Sequence, residues 1–143
     1  STPELMEEYP LILTCGGRSF EFFHSEHRQL PTMRELHPQP RVLVNPKTAE
    51  KYGIKDGDWV WMEGPMGRAK RKAKLTPIMD RRIVSCDHGW WFPEAPGEEK
   101  DGLFGMLDLN VNKLLNSYVP GKSGFGANYK SMLCKIYPAK DGE

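Results

Sequence analysis

The chain has 143 residues, 38% of them hydrophobic, and a formal net charge of +1. This length is typical of one domain that buries about 68–70% of the surface of its unfolded chain. The near-neutral charge gives no reason to expect nucleic acid or a membrane surface as a partner. No apolar run approaches the roughly 20 residues needed to span a bilayer. The acidic, polar start STPELMEEYP is unlike a signal peptide and leads us to expect a piece of a longer protein.

Glycine and proline interrupt the sequence often, with 14 and 12 copies, and the short segments between them favour β structure. Residues 45–53 form the exception, because Asn45 as N-cap and Pro46 at the first helical position predict a short helix. In chain order, the predicted elements are a strand that begins at Leu11 and breaks at the glycines 16–17, a strand over 41–45, the helix over 45–53, a turn at 55–58, strands over 59–63, 68–75 and 82–86, a helix within 111–118, and a strand over 132–138.

The segments 59–63 and 68–75 are predicted to pair as a hairpin around the turn 64–67. Hydrophobicity in 68–75 alternates strictly, and Arg71 alone interrupts the apolar side. The cations on the other side could dock an acidic partner or a phosphate, or they could be a solvated sheet face or a guarded edge. These cations are Arg68, Lys70, Lys72 and Lys74.

The long irregular stretch 87–131 is rich in glycine, tryptophan and asparagine. Loops longer than about 15 residues are uncommon in a compact domain unless they are functional. We therefore expect this stretch to line a site. The fold class predicted from these elements is mainly β: a small barrel of short strands with one or two short helices and long loops on one side.

The three cysteines, Cys15, Cys86 and Cys134, lie far apart and form no CxxC pair. Their odd number does not suit a disulfide framework, so we interpret them as free thiols that pack as small hydrophobes. The pattern is compatible with a reducing compartment. It leaves open whether the parent protein is exported.

The loop after the first strand concentrates hydrogen-bond donors. Gly16 and Gly17 let backbone N–H groups point into a concave surface that suits an anion, and Arg18 adds a planar guanidinium that matches phosphate. His24 and Ser25 supply further donors. The loop could hold a phosphate-bearing ligand, or it could be a polar surface loop whose arginine pairs with a carboxylate.

A second group of residues lies at DHGWWFPE, residues 87–94. Its aromatic side chains could stack on a flat heterocycle, plug one end of the barrel, or pack against another domain. His88 and Asp87 are expected to have no titratable partner nearby, and the irregular spacing of the histidines argues against a metal site. No nucleophile elbow and no marked carboxylate pair are present, so binding loops are expected without a reaction centre.

Several short segments, taken in order and spacing, resemble the C-terminal domain of molybdopterin oxidoreductases of the dimethyl sulfoxide reductase superfamily. The resemblance extends from about Tyr9 to Ile136. It implies a six-stranded double-psi β-barrel that supplies part of the pocket for molybdopterin guanine dinucleotide, with molybdenum or tungsten. The segments are YPLILTCGGR, FFHSEHR, VNP, AEKYGIKDGDWVWMEGPMGRAKRKAKLT, HGWWFPE, NVNKL and LCKI.

The resemblance also implies which residues contact the cofactor. Residues 14–18 would wrap phosphate or pterin groups, and His24 with Ser25, matching the family's HS pair, would hydrogen-bond the cofactor. Asn112 matches a family asparagine that faces the cofactor. The implied set is Thr14, Cys15, Gly16, Gly17, Arg18, His24, Ser25, Asn112, Tyr129 and Lys130.

This sequence departs from the family pattern in the first loop. Cys15 stands where many relatives have a second threonine or a small residue, and a double glycine replaces the commoner single one. Neither change removes the backbone donors of the loop. The cofactor-binding prediction therefore stands.

Family members carry the metal ligand, the substrate funnel and any iron–sulfur cluster in other domains. We therefore expect no catalytic or metal-ligating residue in this chain, and a parent that is a molybdopterin-dependent oxidoreductase. The expected partners are the remaining domains of the parent, with its iron–sulfur or membrane-anchor subunits as further candidates, and neither nucleic acid nor direct membrane insertion is expected. The predicted division is a linker over 1–8, the cofactor-binding barrel over 9–138 and a tail over 139–143.

Two alternatives to cofactor binding remain at this point. A double-psi barrel also serves as an adaptor for a protein or peptide, in which case the basic strand 68–74 and the aromatic residues would form the partner surface. An oligonucleotide-binding barrel would place aromatic rings beside a cationic groove, but the near-zero net charge argues against it.

Overall fold

The computed structural model describes residues 3–17, 19–115 and 130–140. Its strands are β1 (Leu11–Gly17), β2 (Arg41–Val44), β3 (Trp59–Gly64), β4 (Gly67–Leu75), β5 (Ile83–Asp87) and β6 (Met132–Pro138). They close into one barrel in the order β1-β5-β2-β4-β3-β6. The predicted six-stranded, mainly β barrel is confirmed. The five strands after β1 match their predicted bounds within one residue at each end.

The directions of the strands divide the barrel into two unlike ends. β1 pairs with β5 and β2 with β4 in parallel, whereas the other neighbouring pairs are antiparallel. The carboxyl ends of β1, β3 and β5 therefore lie together with the amino ends of β2, β4 and β6, and we call this the upper end. The long connections 18–40 and 88–131 both start and finish there, while the shorter connections 45–58 and 76–82 cross the lower end.

β1 is longer than the sequence predicts. The strand does not break at the glycines but continues to Gly17, with an irregularity in its pairing to β5 between Cys15 and Gly17. A bulge of this kind bends a strand without ending it, which is why the glycine pair was misread as a break. Gly17 thereby becomes the last residue of the strand, opposite Asp87 at the upper end.

β4 alternates as predicted. Ala69, Arg71 and Ala73 are buried, and the side chains between them face outward. On the outer face, Arg68 lies over the ring of Trp61, with 4.0 Å between its guanidinium carbon and the ring centroid. The cations of β4 thus cover the tryptophans of β3, which favours the interpretation as a sheet face.

The barrel interior is a single apolar core to which every strand contributes. The 3₁₀ turn Val111–Leu114 adds Val111 and Leu114 to this core, so it covers the upper end of the barrel. A would-be Cβ at Gly67 lies 3.0 Å from the backbone oxygen of Lys113, which places that turn against the β3–β4 hairpin. A smaller second cluster consists of Phe22, Trp90 and Leu109.

The helices are short and more numerous than the one or two predicted. They are α1 (Pro3–Glu8), α2 (Pro31–Leu36), α3 (Pro46–Lys51) and α4 (Met106–Leu109), with a further 3₁₀ turn at Glu99–Asp101. α3 is the predicted helix, and the Asn45 side chain caps it by accepting from Lys47 N at 2.9 Å. α2 and α4 lack a side-chain cap, so the start signal that the sequence carries for α2 is limited to Pro31 at its first position.

The helix predicted within 111–118 is wrong as an α-helix over its described part. It is the 3₁₀ turn Val111–Leu114, after which Leu115 has an extended backbone, and residues 116–118 lie outside the described residues. Among the described residues, no helix has the length and apolar character to cross a membrane. The three cysteines are free and buried, as predicted.

Candidate functional site

Two loops meet at the upper end because they follow neighbouring parallel strands. The β1 loop (residues 19–30) follows β1, and the β5 loop (residues 88–98) follows β5, whose last residue Asp87 pairs with Gly17. In an α/β or β sheet, groups at the carboxyl ends of adjacent parallel strands are brought together by the pairing itself. The opening glycine loop and the DHGWWFPE segment, 70 residues apart, therefore form one surface.

A row of hydrogen bonds joins the two loops through their histidines. His88 Nδ1 lies 3.2 Å from Gly17 O, and His88 Nε2 lies 2.9 Å from His24 Nδ1. The rings of His24 and His88 meet edge to face, with centroids 5.2 Å apart. Burial, together with repulsion from His24 and Arg28, lowers the pKa of His88 below its ordinary value, although the bond to Gly17 O and the charge of Asp87 act in the opposite direction.

Arg28 clamps the same two loops from beneath. Its guanidinium donates to His24 O at 3.0 Å and to His88 O at 3.4 Å. The side chain is 1% exposed and lies between the rings of Phe22 and Trp90, 4.7 and 4.3 Å from their centroids. Burial lowers the pKa of Arg28 to about 10, so the guanidinium remains charged at neutral pH.

The tryptophans of the β5 loop divide into two roles. Trp90 is 1% exposed and packs against Phe22 and His37, as an internal plug of the loop would. Trp91 is half-buried, and its indole N–H donates to Ser25 O at 2.7 Å. Gly89 allows the close approach, since its φ is +60° and a Cβ there would lie 3.4 Å from the Cβ of Ser25.

Asp87 organises the wall below the loops. Its carboxylate accepts from His37 Nε2 at 2.9 Å and from Arg41 N at 2.7 Å. Burial raises the pKa of this carboxyl, but these two hydrogen bonds and the nearby cations outweigh burial and hold the pKa below its ordinary value. Asp87 is therefore ionised at neutral pH.

A second buried cation lies under the site. Arg71 is fully buried inside the barrel and donates to Asp87 O at 3.0 Å and to Lys70 O at 2.7 Å. Burial lowers its pKa, and the nearby Cys86 and Asp87 oppose that effect. A hollow of about 370 Å³ opens beside these groups at the upper end. Its lining includes Gly17, Ser19, Glu21, His37, Arg41 and Asp87.

The structure places most of the predicted cofactor residues at the upper end. Gly17, His24 and Ser25 are joined through the contacts to the β5 loop, Asn112 is exposed in the turn Val111–Leu114, and Lys130 is exposed two residues before β6. Thr14, Cys15 and Gly16 belong to β1. Arg18 and Tyr129 lie outside the described residues.

Cys15 differs from its neighbours because its side chain is buried in the barrel core. Burial raises the pKa of its thiol. Only the backbone of this residue is available to a ligand at the upper end. The exchange of a threonine for this cysteine therefore changes the core more than the loop surface.

The expectation that Asp87 and His88 have no titratable partners is wrong. Asp87 meets His37, and His88 meets His24, although each pair is separated by 50 residues or more. Arg28 and Arg71 were also missed as parts of the site. The one available signal was Arg71, an arginine on the apolar side of a strand, which is rare unless its charge is satisfied inside.

No group of three or more His, Cys, Asp or Glu side chains is placed to hold a metal ion within residues 3–17, 19–115 and 130–140. What the upper end offers instead is the exposed polar side chains of His24, Asn112 and Lys130, with the buried guanidinium groups of Arg28 and Arg71 below them. Such a set favours an anionic, hydrogen-bonding ligand.

Comparison with protein-family models gives a match over residues 11–132 to the family described as "Molydopterin dinucleotide binding domain". The chain belongs to this family. A solved structure, "Acetylene Hydratase from Pelobacter acetylenicus", superimposes with a TM-score of 0.88 at 33% identity, covering 96% of this chain and 19% of that chain. The predicted family, fold and cofactor-binding function are confirmed.

The curated relatives are much longer proteins. A dopamine dehydroxylase of Eggerthella lenta is 42% identical over 134 residues, which are 94% of this chain and 13% of the relative. The acetylene hydratase of Syntrophotalea acetylenica is 37% identical over 116 residues, or 81% of this chain and 16% of the relative. Dimethyl sulfoxide reductase DmsA of Escherichia coli is 32% identical over 104 residues, which are 72% of this chain and 12% of the relative. The chain thus spans less than a fifth of the length of each of these relatives.

Proposed function

We propose that the upper end of the barrel binds molybdopterin guanine dinucleotide within a larger molybdenum or tungsten oxidoreductase. The observation that carries the proposal is the meeting of the β1 and β5 loops above two buried arginines. In this family the domain is a dinucleotide-binding domain, and the upper end is where two long loops meet over buried guanidinium groups, which suits a pyrophosphate.

The residues at the upper end fit the chemistry of such a cofactor. Arg28 and Arg71 are buried cations that use backbone oxygens as acceptors, and the ionised Asp87 offsets one of their two charges. Buried positive charge in excess attracts an anion, because little solvent screens it. The exposed side chains of His24, Asn112 and Lys130 supply polar groups at the surface above.

Each of these residues has a different part in the proposed binding. Backbone N–H groups at the end of β1 and the His24 ring would donate to phosphate oxygens. Asn112 and Lys130 would bind the cofactor from the connection 88–131 between β5 and β6. The cofactor supplies the metal and pterin chemistry, and this chain binds and orients it. The reaction itself and the partners of the parent, including iron–sulfur or membrane-anchor subunits, follow only by analogy with the relatives and stay proposals.

The test is the cofactor content of the full-length parent after purification. We expect His24→Asn, Asn112→Ala and Lys130→Ala each to lower the content of molybdenum or tungsten and of guanine nucleotide released by acid. Asn tolerates the positive φ of 56° at position 24, so this substitution removes the ring without straining the loop.

Lys51→Ala is the matched control, because Lys51 is an exposed cation of α3 at the lower end. Cofactor content unchanged in all three upper-end variants, at equal protein yield, would refute the placement of the site. An equal loss in Lys51→Ala would refute its restriction to the upper end.

A further inference from the structure

The contact between His24 and His88 determines where protons can lie at the upper end. We propose that His88 is a positioning residue that holds His24 in the Nδ1–H tautomer, so that the pair presents one free nitrogen, His24 Nε2, which changes from acceptor to cationic donor when the pair gains one proton. This inference rests on the proposed function only in taking His24 as a residue that faces the cofactor.

The tautomers follow from the acceptor at the inner end of the row. A carbonyl oxygen can only accept, so the 3.2 Å contact to Gly17 O requires a hydrogen on His88 Nδ1. In a neutral imidazole the other nitrogen, His88 Nε2, is then an acceptor. The 2.9 Å contact between that nitrogen and His24 Nδ1 requires a hydrogen on His24 Nδ1. The lone pair of neutral His24 is therefore at Nε2.

Adding one proton leaves a hydrogen on His24 Nε2 in both arrangements that keep the bond between the rings. If the charge lay on His88, its Nε2 would donate to His24 Nδ1 across 2.9 Å, and the cation would be on the more buried ring. If His24 Nε2 takes the proton, the existing bond becomes a charge-assisted one and grows stronger. His24 is also the more exposed ring of the two, so its charge is better solvated.

The charged groups around the pair support this order. Arg28 lies beneath both loops and donates to the backbone oxygens of His24 and His88, and Asp87 precedes His88 at the end of β5. The ring of Phe23 packs edge to face on His24, with centroids 5.0 Å apart. Burial and the cations lower the pKa of His88, which resists a proton on that ring.

For an anionic ligand, the consequence is a site that works in one protonation state. A phosphate oxygen is an acceptor, so it is repelled by the lone pair of neutral His24 and bound by the N–H of the cation. Without His88, a neutral His24 could turn Nε2–H outward, and the site would lose this dependence on one proton.

The experiment is a long-range ¹H–¹⁵N correlation of the histidine rings in the ¹⁵N-labelled 143-residue chain, first at pH 8 and then at decreasing pH. We expect both His24 and His88 to be neutral in the Nδ1–H form at pH 8, although free histidine in water favours Nε2–H. On acidification, the ring signals of His24 should move before those of His88. A neutral His88 in the Nε2–H form, or a first protonation at His88, would overturn the proposal.

Variants of His88 distinguish the positioning of the His24 ring from a general disturbance of the loop. In His88→Phe we expect the His24 tautomer to shift toward Nε2–H, whereas His88→Gln, whose side-chain oxygen can accept from His24 Nδ1, should retain Nδ1–H. His27→Asn is the control, since His27 is an exposed histidine of the same loop with a positive φ of 72°. If His24 stays fully Nδ1–H in His88→Phe, His88 is not what positions it.

These readouts involve no cofactor, so their failure leaves the proposed binding function intact. Conversely, a full-length parent that keeps its cofactor in His24→Asn would contradict the role of His24 while leaving the tautomers as measured. The tautomer measurement on the unchanged chain also needs no variant to fold.

Discussion

The two ends of the barrel solve the same problem, closing a ring of six strands, in opposite ways. At the lower end, short connections carry side chains that cap nearby backbone groups: Lys55 N donates to Asp58 and Leu75 N donates to Asp56, each at 2.7 Å. The cations there are exposed, as in the pair of Arg82 with Asp80. The lower end is therefore held by local contacts and leaves little polar chemistry buried.

At the upper end the contacts are long-range and the charges are buried. Arg28 joins the two loops through backbone oxygens, and Arg71 reaches the end of β5 from inside the barrel. Burying two guanidinium groups costs desolvation free energy that folding alone does not require. This difference supports the proposal that the ligand binds at the upper end, whereas the contacts of the lower end stabilise the fold.

Replacing Arg28 should have the largest effect on stability. We expect Arg28→Ala to lower the free energy of unfolding by about 3 kcal/mol, because it leaves a cavity between two rings and leaves the carbonyls of His24 and His88 without their donor. The matched change at the lower end, Arg81→Ala, removes an exposed side chain and should cost less than about 0.5 kcal/mol. Urea unfolding of both variants measures the difference, and equal losses would contradict the contrast between the ends.

Asp87→Asn should lower the free energy of unfolding by about 2 kcal/mol at pH 7, since it removes the negative charge of the carboxylate that accepts from His37 and Arg41 N. The folded pKa of Asp87 lies below its unfolded value of about 3.9, so its stabilisation is complete above that value and is lost as the pH falls through the folded pKa. The difference in the free energy of unfolding between Asp87→Asn and the original chain should therefore become smaller as the pH falls.

The lower-end control for this change is Asp58→Asn, whose amide oxygen still accepts from Lys55 N. We expect it to unfold at nearly the same urea concentration as the original chain at pH 7. If the free energy of unfolding of Asp87→Asn differs from that of the original chain by the same amount at pH 7 and pH 3, the charge of Asp87 contributes nothing to stability.

Two glycines with positive φ test geometry rather than charge. Gly89→Ala and Gly57→Ala should each cost about 1 kcal/mol, because alanine disfavours the φ values of +60° and +85°. Only the first lies against a site residue, since its Cβ would be 3.4 Å from the Cβ of Ser25, whereas nothing lies within 4 Å at Gly57. The NMR signals of His24 and Trp91 should shift in Gly89→Ala and stay in place in Gly57→Ala.

The smallest effect is expected in the alkylation of the buried cysteines, whose rate shows whether the upper end of the barrel opens. Burial raises the pKa of Cys86 to about 12, so at pH 8 only about one thiol in ten thousand is ionised. Alkylation of the folded chain at pH 8 should therefore be far slower than that of the urea-unfolded chain. Rapid labelling of Cys15 or Cys86 in the folded chain would show that the upper end opens readily.

The strands were predictable because each carries its own local signal. The alternation in β4, the turn residues around Gly57 and the capped start of α3 all act over a few residues, and the structure reproduces them. Where a local signal was missing or ambiguous, the prediction failed. α2 has no side-chain cap, and the bulge in β1 has the same glycines as a chain break.

The site was predictable only as separate pieces. The glycine loop with its histidine and the tryptophan segment were both identified in the sequence, and the family resemblance assigned them to a cofactor. Their contact was not predicted, because the parallel pairing of β1 with β5 joins residues 64 or more positions apart. A sequence pattern does not encode which strands become neighbours in a barrel.

By itself, the sequence determined the strand pattern, the family and therefore the class of ligand, since these depend on short motifs and their spacing. Only the tertiary structure decided that the long connections share one end of the barrel, that Arg28 and Arg71 are buried beneath it, and that His24 meets His88. The physical reason is that burial and hydrogen-bond partnership depend on the closure of the barrel, which brings together groups that are distant along the chain.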